Sequence, residues 1–430
     1  MGIVVGLLIL SVMMIVHELG HFLTGRKLGF KIEEFAIFMG PVLFSWERKG
    51  IKYSIKLLPI GASVRFAGEY SETSLADEDP SFFFNRPRWA RAAVIITGPL
   101  LNLFSGMLAF LIMFSVFGYT VPVIDQIEQN TLAATAGLVP GDRIIEMNGK
   151  AIRTTLDYSG LEMFIKYETP IALTVRKPDG QKRNVALQPA FIKRYRLGIN
   201  ILYDAAQKTA TIQEVDESSN QGNPVLKTGD ILLSVNGVPY GSDNFSASID
   251  ASGGQPISVS VMRDGKATDL TMVATSYNDP VARGIYFKSQ TAFLPAVGQS
   301  AEWCWSIVKV TVRSLGMLFT GDLKAKDTLS GPVGVVSMIS NVVTEEQPLA
   351  DKILQLLWMF ALVSVSLGFM NLLPIPPLDG NHLILIGVEA IRGKRLSQKV
   401  QNAIGIIGIG LIILLALAGL YFDVLRLAGI

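Results

Sequence analysis

The sequence is poor in charged residues, cysteine and histidine. Asp, Glu, Lys and Arg make up 17% of its 430 residues, whereas an average soluble domain carries about 25%. Hydrophobic residues make up 50% of the chain. The single cysteine, Cys304, excludes an internal disulfide. The net charge of +2 gives no reason to expect nucleic acid as a partner, and the shortage of charge predicts a membrane protein.

Four apolar stretches are long enough to cross a bilayer, whose core of about 30 Å needs roughly 20 helical residues. They are residues 3–24, 92–119, 353–373 with a broken continuation to 388, and 403–422. The first is also compatible with a cleaved signal peptide, but signal peptides carry positive charge before the apolar run. Arg26 and Lys27 follow the run here, which favours a retained helix.

The distribution of Lys and Arg predicts the orientation, because these residues mark cytoplasmic loops. Eleven of them lie between Gly25 and Arg91. The short loop before the fourth stretch contains Arg392, Lys394, Arg395 and Lys399. Both loops are predicted to be cytoplasmic, which places the two termini and the middle of the chain on the opposite face.

The middle of the chain, from about residue 120 to 288, has the composition of a soluble region and contains an internal repeat. Residues 141–149 read Gly-Asp-Arg-Ile-Ile-Glu-Met-Asn-Gly, and residues 229–237 read Gly-Asp-Ile-Leu-Leu-Ser-Val-Asn-Gly. Each ends in an Asn-Gly turn, a strong hairpin signal. The pattern resembles paired PDZ domains, which bind extended chain ends by adding a strand to a sheet edge. A rigid spacer without a ligand is the alternative.

Two of the three histidines lie in one motif, His17-Glu-Leu-Gly-His21, near the inner end of the first apolar stretch. Residues four apart share a helix face, so both imidazoles can reach one Zn²⁺. Glu18 can act as the base on a zinc-bound water, whose pKa zinc lowers to about 7. Polar residues satisfied by neighbouring helices are the alternative, but ionisable groups within a bilayer are costly and indicate function.

A catalytic zinc needs a third protein ligand and one open position. Asp379 is a carboxylate in the apolar segment 371–380, where three prolines break the helix and expose backbone groups. His17 lies nine positions before Arg26, which is about 13 Å along a helix. Asp379 lies thirteen positions before Arg392, which is at most about 20 Å. Both are therefore predicted in the same half of the membrane. His382 is the competing ligand.

These motifs together resemble the site-2 protease family of intramembrane metalloproteases, in particular its bacterial members that regulate sigma-E. The likeness covers the His-Glu-x-x-His motif, the PDZ-like repeats and the Asn-x-x-Pro-x-x-x-Leu-Asp-Gly pattern of residues 371–380. It implies that His17, His21 and Asp379 bind zinc, that Glu18 is the catalytic base, and that Asn371 helps to hold substrate.

The resemblance also implies a function and a location. The expected activity is regulated intramembrane proteolysis of single-span membrane proteins, including an anti-sigma factor after a first cleavage and remnant signal peptides. The expected location is a bacterial inner membrane, with both termini and the PDZ-like domains in the periplasm. Two departures are local: Asn381 stands where many relatives have a second glycine, and residues 38–41 read Phe-Met-Gly-Pro instead of Gly-Phe-Gly-Pro.

Three further segments carry predictions. Asn102, in the Gly-Pro-Leu-Leu-Asn sequence of residues 98–102, is a buried amide that contacts substrate or packs between helices. Residues 51–58 alternate apolar and polar as a strand, with a turn at 59–61 and a return at 62–66, and this hairpin is similar to the family's membrane-associated β element. Residues 295–319 predict an amphipathic helix on the outer membrane surface.

The predicted fold is an α-helical membrane protein with four transmembrane helices, a membrane-associated β-hairpin and two α+β PDZ-like domains. Residues 1–119 and 351–430 form the two catalytic halves. The PDZ-like domains occupy residues 120–205 and 206–290, and an interfacial segment occupies residues 291–350. The competing functions are a membrane PDZ scaffold with a structural zinc and a metal-dependent hydrolase of lipid or a small molecule.

Overall fold

The computed structural model describes residues 2–68, 79–204, 208–321 and 331–427. Residues 205–207, at the predicted boundary between the PDZ-like domains, and residues 322–330 of the predicted interfacial segment lie outside this range. The helices of the described part are α1 (Gly2–Lys27), α2 (Arg88–Phe117), α3 (Leu132–Thr135), α4 (Thr155–Glu162), α5 (Phe245–Asp250), α6 (Phe293–Thr320), α7 (Pro332–Thr344), α8 (Leu349–Asn371), α9 (Asp379–Arg392) and α10 (Gln398–Leu427).

The strands of the described part run from the end of the first helix to the start of α6. They are β1 (Ile32–Arg48), β2 (Ile51–Phe66), β3 (Tyr119–Ile127), β4 (Arg143–Met147), β5 (Lys150–Ala151), β6 (Ile171–Arg176), β7 (Lys182–Leu187), β8 (Phe191–Arg196), β9 (Ile199–Asp204), β10 (Thr209–Val215), β11 (Ile231–Val235), β12 (Val238–Pro239), β13 (Pro256–Arg263), β14 (Lys266–Val273), β15 (Thr275–Pro280) and β16 (Ile285–Gln290).

Four helices of the described chain are long and apolar enough to cross a membrane, as predicted. They are Gly2–Lys27, Arg88–Phe117, Leu349–Asn371 and Lys399–Val424, and we call them spans 1 to 4. The predicted continuation of the third stretch is a separate helix: span 3 ends at Asn371, and α9 begins only at Asp379, after the proline-containing turn. Asp379 therefore stands at the first turn of a new helix.

Span 2 packs closely against spans 1 and 3 through glycines. A Cβ atom on Gly20 of span 1 would overlap the backbone of Thr97 in span 2. A Cβ on Gly368 of span 3 would come to 2.8 Å from the carbonyl oxygen of Pro99. Small residues permit such backbone approach between membrane helices. The close packing brings together the His-Glu-x-x-His motif, the Gly98-Pro99 segment inside span 2 and the end of span 3.

Strands β1 and β2 both bend and form one antiparallel sheet. Residues 34–37 pair on one side with 52–55 and on the other with 62–65, while residues 42–48 pair with 51–56. The predicted hairpin of 51–66 is thus part of a larger sheet, and residues 34–37 lie between its two arms. The order leaves residues 62–66 at one edge of the sheet.

The β-rich middle of the chain contains two similar sheets. One has the order β16-β3-β4-β6-β7, and the other has the order β14-β13-β11-β10-β9. The repeated sequences occupy equivalent places: β4 and β11 each lead into an Asn-Gly turn, where Asn148 and Asn236 have positive φ angles. Strand β16, at residues 285–290, belongs to the sheet of the first repeat although it follows the second repeat in sequence.

Helix α6 covers the predicted amphipathic helix and packs against α4. The Lys309 ammonium lies 2.5 Å from the Asp157 carboxylate, and the hydroxyls of Thr154 and Ser306 are 2.9 Å apart. Helix α4 belongs to the same compact unit of the chain as the membrane helices, whereas most of the first repeat belongs to the other unit. The position of α6 on a membrane surface stays a prediction.

Candidate metal centre

The two histidines of span 1 and Asp379 converge at one point. The Nε2 atoms of His17 and His21 lie 3.1 Å apart. The Asp379 Oδ2 atom is 3.0 Å from His17 Nε2 and 3.5 Å from His21 Nε2. Both histidines are buried and Asp379 is half-buried. Asp379 lies more than 350 positions after the two histidines in the sequence, and the packing of the spans against α9 brings the three side chains together.

The contact made by Nδ1 of His21 indicates which ring nitrogen carries the proton when the ring is neutral. His21 Nδ1 lies 2.8 Å from the carbonyl oxygen of Val94 in span 2. Since a carbonyl oxygen only accepts hydrogen bonds, the neutral ring carries its proton on Nδ1. The lone pair of Nε2 then faces the Asp379 carboxylate, which is also an acceptor. With the ring neutral, a metal cation between these two acceptors would satisfy both of them.

His17 has a comparable contact on its far side. Its Nδ1 lies 3.4 Å from the amide nitrogen of Asn102 in span 2, and Asn102 is fully buried. The Asn102 Oδ1 atom has no hydrogen-bond partner among the described residues. A half-turn of the amide places Oδ1 against Nδ1, where it accepts the ring proton and leaves the His17 Nε2 lone pair directed at the other two atoms.

Glu18 is held by the edge of the β-sheet. Its Oε2 atom accepts a hydrogen bond of 3.0 Å from the backbone N–H of Val64. Val64 belongs to residues 62–66, the edge segment described above. The adjoining turn is fixed to span 1, because the Ser11 hydroxyl donates a 2.7 Å hydrogen bond to the carbonyl oxygen of Pro59. The sheet therefore sets the position of the Glu18 carboxylate.

Two glycines permit the close approach of backbone at this point. A Cβ on Gly98 would overlap the His21 ring, so span 2 can lie against the imidazole only with glycine at that position. A Cβ on Gly380 would overlap the carbonyl groups of Leu372 and Leu373 at the end of span 3. Gly380 thus allows α9 to begin beside span 3, with Asp379 facing span 1.

The residues fit a zinc ion. Zinc bonds to imidazole nitrogen and carboxylate oxygen are about 2.0–2.2 Å long, so two tetrahedral ligands are about 3.3 Å apart. The separations of 3.0, 3.1 and 3.5 Å match that value. Asp379 Oδ2 is buried and lacks a hydrogen bond within the described part of the chain, as expected for an atom that coordinates a metal.

Two further residues were predicted at or near the site, Asn371 and His382. Asn371 is half-buried at the last position of span 3. His382 stands one helical turn after Asp379 but is not among the described residues whose ligand atoms converge. The contacts from Val94 and Val64 were not predicted. Both are made by backbone groups, whose partners depend on tertiary packing and leave no side-chain signal in the sequence.

Comparisons with known proteins agree with this geometry. The model of peptidase family M50 matches residues 5–415. The chain belongs to peptidase family M50. The chain is 29% identical over 447 residues to the regulator of sigma E protease of Salmonella typhi, and 28% identical over 450 residues to the regulator of sigma-E protease RseP of Escherichia coli. Both alignments cover 97% of this chain and 97% of the relative.

A metalloprotease of Caulobacter vibrioides, MmpA, is also similar, with 26% identity over 426 residues that cover 92% of this chain and 88% of the relative. The M50 peptidase is therefore an intramembrane zinc metalloprotease of the bacterial inner membrane. Its activity belongs to regulated intramembrane proteolysis. The prediction of the family and of zinc from the two motifs is confirmed.

Proposed function

We propose that His17, His21 and Asp379 hold the catalytic zinc of this M50 peptidase and that Glu18 is its base. The observation that carries this proposal is the convergence of three ligand atoms at separations of 3.0–3.5 Å. Zinc bound there would make hydroxide available at neutral pH. Glu18 follows His17 directly, and with Oε2 engaged by Val64 it has Oε1 left to accept the proton of the attacking water.

The edge of the β-sheet is suited to hold substrate in an extended form. A peptide bond in a membrane helix is shielded, so cleavage requires local unwinding and new partners for the freed backbone groups. Residues 62–66 form a sheet edge beside Glu18. An unwound substrate segment that pairs with this edge as an added strand would lie next to the metal centre. Asn371 is proposed to contact the same segment.

The rest of the sheet has the surface of a membrane-associated element. Several large apolar side chains are exposed on it, including Leu43 at 63% and Phe44 at 61%. Others are Met39, Val42, Trp46, Leu57, Leu58 and Ile60. Exposed apolar patches of this kind mark interaction with membrane or protein. Consecutive strand residues such as Leu43 and Phe44 point to opposite faces, so we infer that this end of the sheet enters the bilayer with both faces and that the sheet receives substrate from within the lipid.

Asn102 is proposed to orient His17. The contact of its amide with His17 Nδ1 favours this role over direct binding of substrate. Asn102→Ala is expected to weaken zinc binding by about 10–100-fold, the usual cost of losing a group that orients a histidine ligand. Asn102→Asp retains an acceptor for the ring proton and should bind zinc nearly as well as the unchanged protein. Chelator competition measures both affinities.

Ser105→Ala is the matched control for Asn102→Ala. The Ser105 hydroxyl lies 2.8 Å from that of Ser364 between spans 2 and 3, so its removal disturbs the same helix interface without touching a ligand. Equal zinc affinities for the Asn102→Ala and Ser105→Ala variants would mean that Asn102 only packs.

The proposed substrates are single-span membrane proteins, among them an anti-sigma factor after a first cleavage and remnant signal peptides. The printed names of two relatives refer to regulation of sigma E, which supports an anti-sigma factor by likeness alone. We test this by co-expressing the protein, or its Glu18→Gln variant, with tagged single-span proteins. Truncated products that appear only with the unchanged protein support the proposal, and the same products with both forms contradict it.

The two β-rich repeats are proposed to be PDZ-like domains on the periplasmic side, together with both termini. Their shared strand order and Asn-Gly turns support the assignment. We propose the domain division of residues 1–119, 120–205, 206–290, 291–350 and 351–430, with β16 completing the first sheet. On this arrangement the domains would exclude substrates with large periplasmic portions, so that cleavage follows trimming by another protease.

The pairing of β8 with β15 allows a clean test of this size filter. Arg196 and Thr275 are direct register partners, so replacing residues 197–274 with an Asn-Gly turn removes the second sheet and rejoins adjacent positions. The shortened protein is expected to cleave untrimmed substrates that the full chain leaves intact. If it still cuts only trimmed substrates, the second repeat is not the filter.

A membrane scaffold with a structural zinc is the second candidate function. A structural zinc is usually bound by four protein ligands. The described residues bring together three metal-binding side chains, with the Glu18 carboxylate beside them. The fourth coordination position is thus left for water, which favours catalysis.

A further inference from the structure

A basic cleft lies where span 2 begins and α9 ends. Its volume is about 910 Å³. The turn before span 2, the first helical turn of that span and the residues around the end of α9 line the cleft. Its charged lining residues are Arg86, Arg88, Arg91, Glu389 and Arg395. The metal centre is formed by different residues, so this cleft is a separate feature.

The lining of the cleft has an excess of positive charge. Three guanidinium groups share the single Glu389 carboxylate: its Oε1 atom is 2.7 Å from Arg91, 3.3 Å from Arg88 and 3.7 Å from Arg395. Arg86 adds a fourth, and its Nε atom is buried without a hydrogen bond to the described residues. Among the described lining residues, four positive charges face one negative charge, a balance that favours an anionic ligand.

Glu389 remains ionised in this setting. Burial alone would raise the pKa of its carboxyl group, but the hydrogen bond and charge of Arg91, with further contributions from Arg88 and Arg395, hold that pKa below its usual range. The carboxylate therefore carries its negative charge at neutral pH and balances one positive charge of the described lining.

An apolar pocket adjoins the basic cleft. The two share Phe84, Arg91, Glu389 and Arg395. Beyond these shared residues, the second pocket is lined mainly by apolar side chains: Phe83, Ile95, Leu385, Ile386 and Leu396. This second pocket holds only about 30 Å³, the volume of about one water molecule, so it offers an apolar wall beside the charged cleft and no room for a hydrocarbon chain.

The cleft lies at the level of a membrane surface. It borders the first turn of span 2, where the Trp89 side chain is 66% exposed. Tryptophan at the end of a membrane helix occupies the interface with the headgroups. Lipid headgroups are thus available at the mouth of the cleft.

We propose that this cleft binds an anionic phospholipid, with the phosphate among Arg86, Arg88 and Arg395 and the acyl chains in the surrounding bilayer. Basic pockets between membrane helices commonly bind such headgroups. The wall of the cleft includes Glu389 on α9, the helix that begins with Asp379. A bound lipid therefore anchors the far end of the helix that supplies a residue of the metal centre.

The test measures lipid binding directly. The full-length protein is delipidated in detergent and titrated with phosphatidylglycerol or phosphatidylcholine, and native mass spectrometry counts the bound lipids. We expect selective binding of phosphatidylglycerol. An arginine near a lipid headgroup contributes about 5-fold, so the Arg88→Gln/Arg395→Gln variant should bind it about 30-fold more weakly. The Arg91–Glu389 ion pair stays intact in that variant, so no carboxylate is left unpaired.

Two controls make the outcome decisive. Arg392→Gln removes an exposed arginine near the end of α9 that lies outside the lining, and it should bind lipid as the unchanged protein does. The Arg88→Lys/Arg395→Lys variant keeps the positive charge and should retain most of the selectivity for phosphatidylglycerol. It therefore still tests the role of charge if the glutamine variant misfolds. Equal binding of both lipids to the unchanged protein, or unchanged selectivity in the glutamine variant, would overturn the proposal.

A soluble anion is the remaining alternative occupant. Glycerol 3-phosphate has the same phosphate chemistry without an acyl chain. Because the acyl chains of phosphatidylglycerol should also contact the apolar surface of span 2, where Ile96 and Leu100 are exposed, we expect glycerol 3-phosphate to displace this lipid only at far higher concentration. Displacement at equal concentration would assign the cleft to a soluble phosphate compound and refute a lipid.

Discussion

Glu18→Gln is expected to lower the cleavage rate by about 10²–10⁴-fold, the usual contribution of a general base, while zinc stays bound. The amide oxygen of glutamine can still accept the hydrogen bond from the Val64 N–H, so the local structure is preserved. What glutamine cannot do is accept the proton of the attacking water. The measurement compares turnover of a purified single-span substrate with the zinc content of the same preparation.

Glu47→Gln is the matched control, because Glu47 is an exposed carboxylate on β1. It should cleave at the rate of the unchanged protein. A Glu18→Gln variant with full activity would remove Glu18 from the mechanism. A variant that loses activity and zinc together would assign Glu18 to metal retention rather than to proton transfer.

Asp379→Ala is expected to lose both cleavage and most of the bound zinc. Zinc sites with four ligands bind with roughly 10–16 kcal/mol, or about 3 kcal/mol per ligand, so the loss of one ligand weakens binding by about 10²-fold. Removal of the carboxylate also leaves the two imidazoles without the anionic group that stands 3.0 and 3.5 Å from them. Zinc content after dialysis against a weak chelator measures the effect.

Asp351→Ala controls for the loss of a carboxylate near span 3, since Asp351 is exposed in the first turn of that helix. It should retain both zinc and activity. If Asp379→Ala retained zinc while Asp351→Ala lost it, the assignment of the third ligand would be wrong. His382→Ala tests the competing ligand in the same assay, and its zinc content is expected to be near normal.

The candidate metal centre could be predicted because its side chains have a short-range signature. His17 and His21 are four positions apart on one helix, and Asp379 is a carboxylate in an apolar, proline-broken segment. Length and hydropathy were also sufficient for the four spans. Such signals depend on local sequence and on the solvent that surrounds each segment, and both can be read without a structure.

The contacts that complete the site depend on packing between distant segments. The Val94 carbonyl reaches His21 because Gly98 lets span 2 lie against the imidazole. The Val64 N–H reaches Glu18 because the return segment is a sheet edge, which follows from the unexpected insertion of residues 34–37 between the hairpin arms. Register and helix approach are tertiary properties, so alternation of residue types could not reveal them.

The central claim is a single zinc held by two imidazoles and one carboxylate, and zinc X-ray absorption spectroscopy of the purified protein tests it most directly. The account predicts one zinc per chain with nitrogen and oxygen neighbours at about 2.0–2.2 Å, two of them imidazoles. It also predicts that one imidazole signal disappears in the His17→Ala variant. A protein without zinc, or a spectrum with sulfur at about 2.3 Å, would contradict the account.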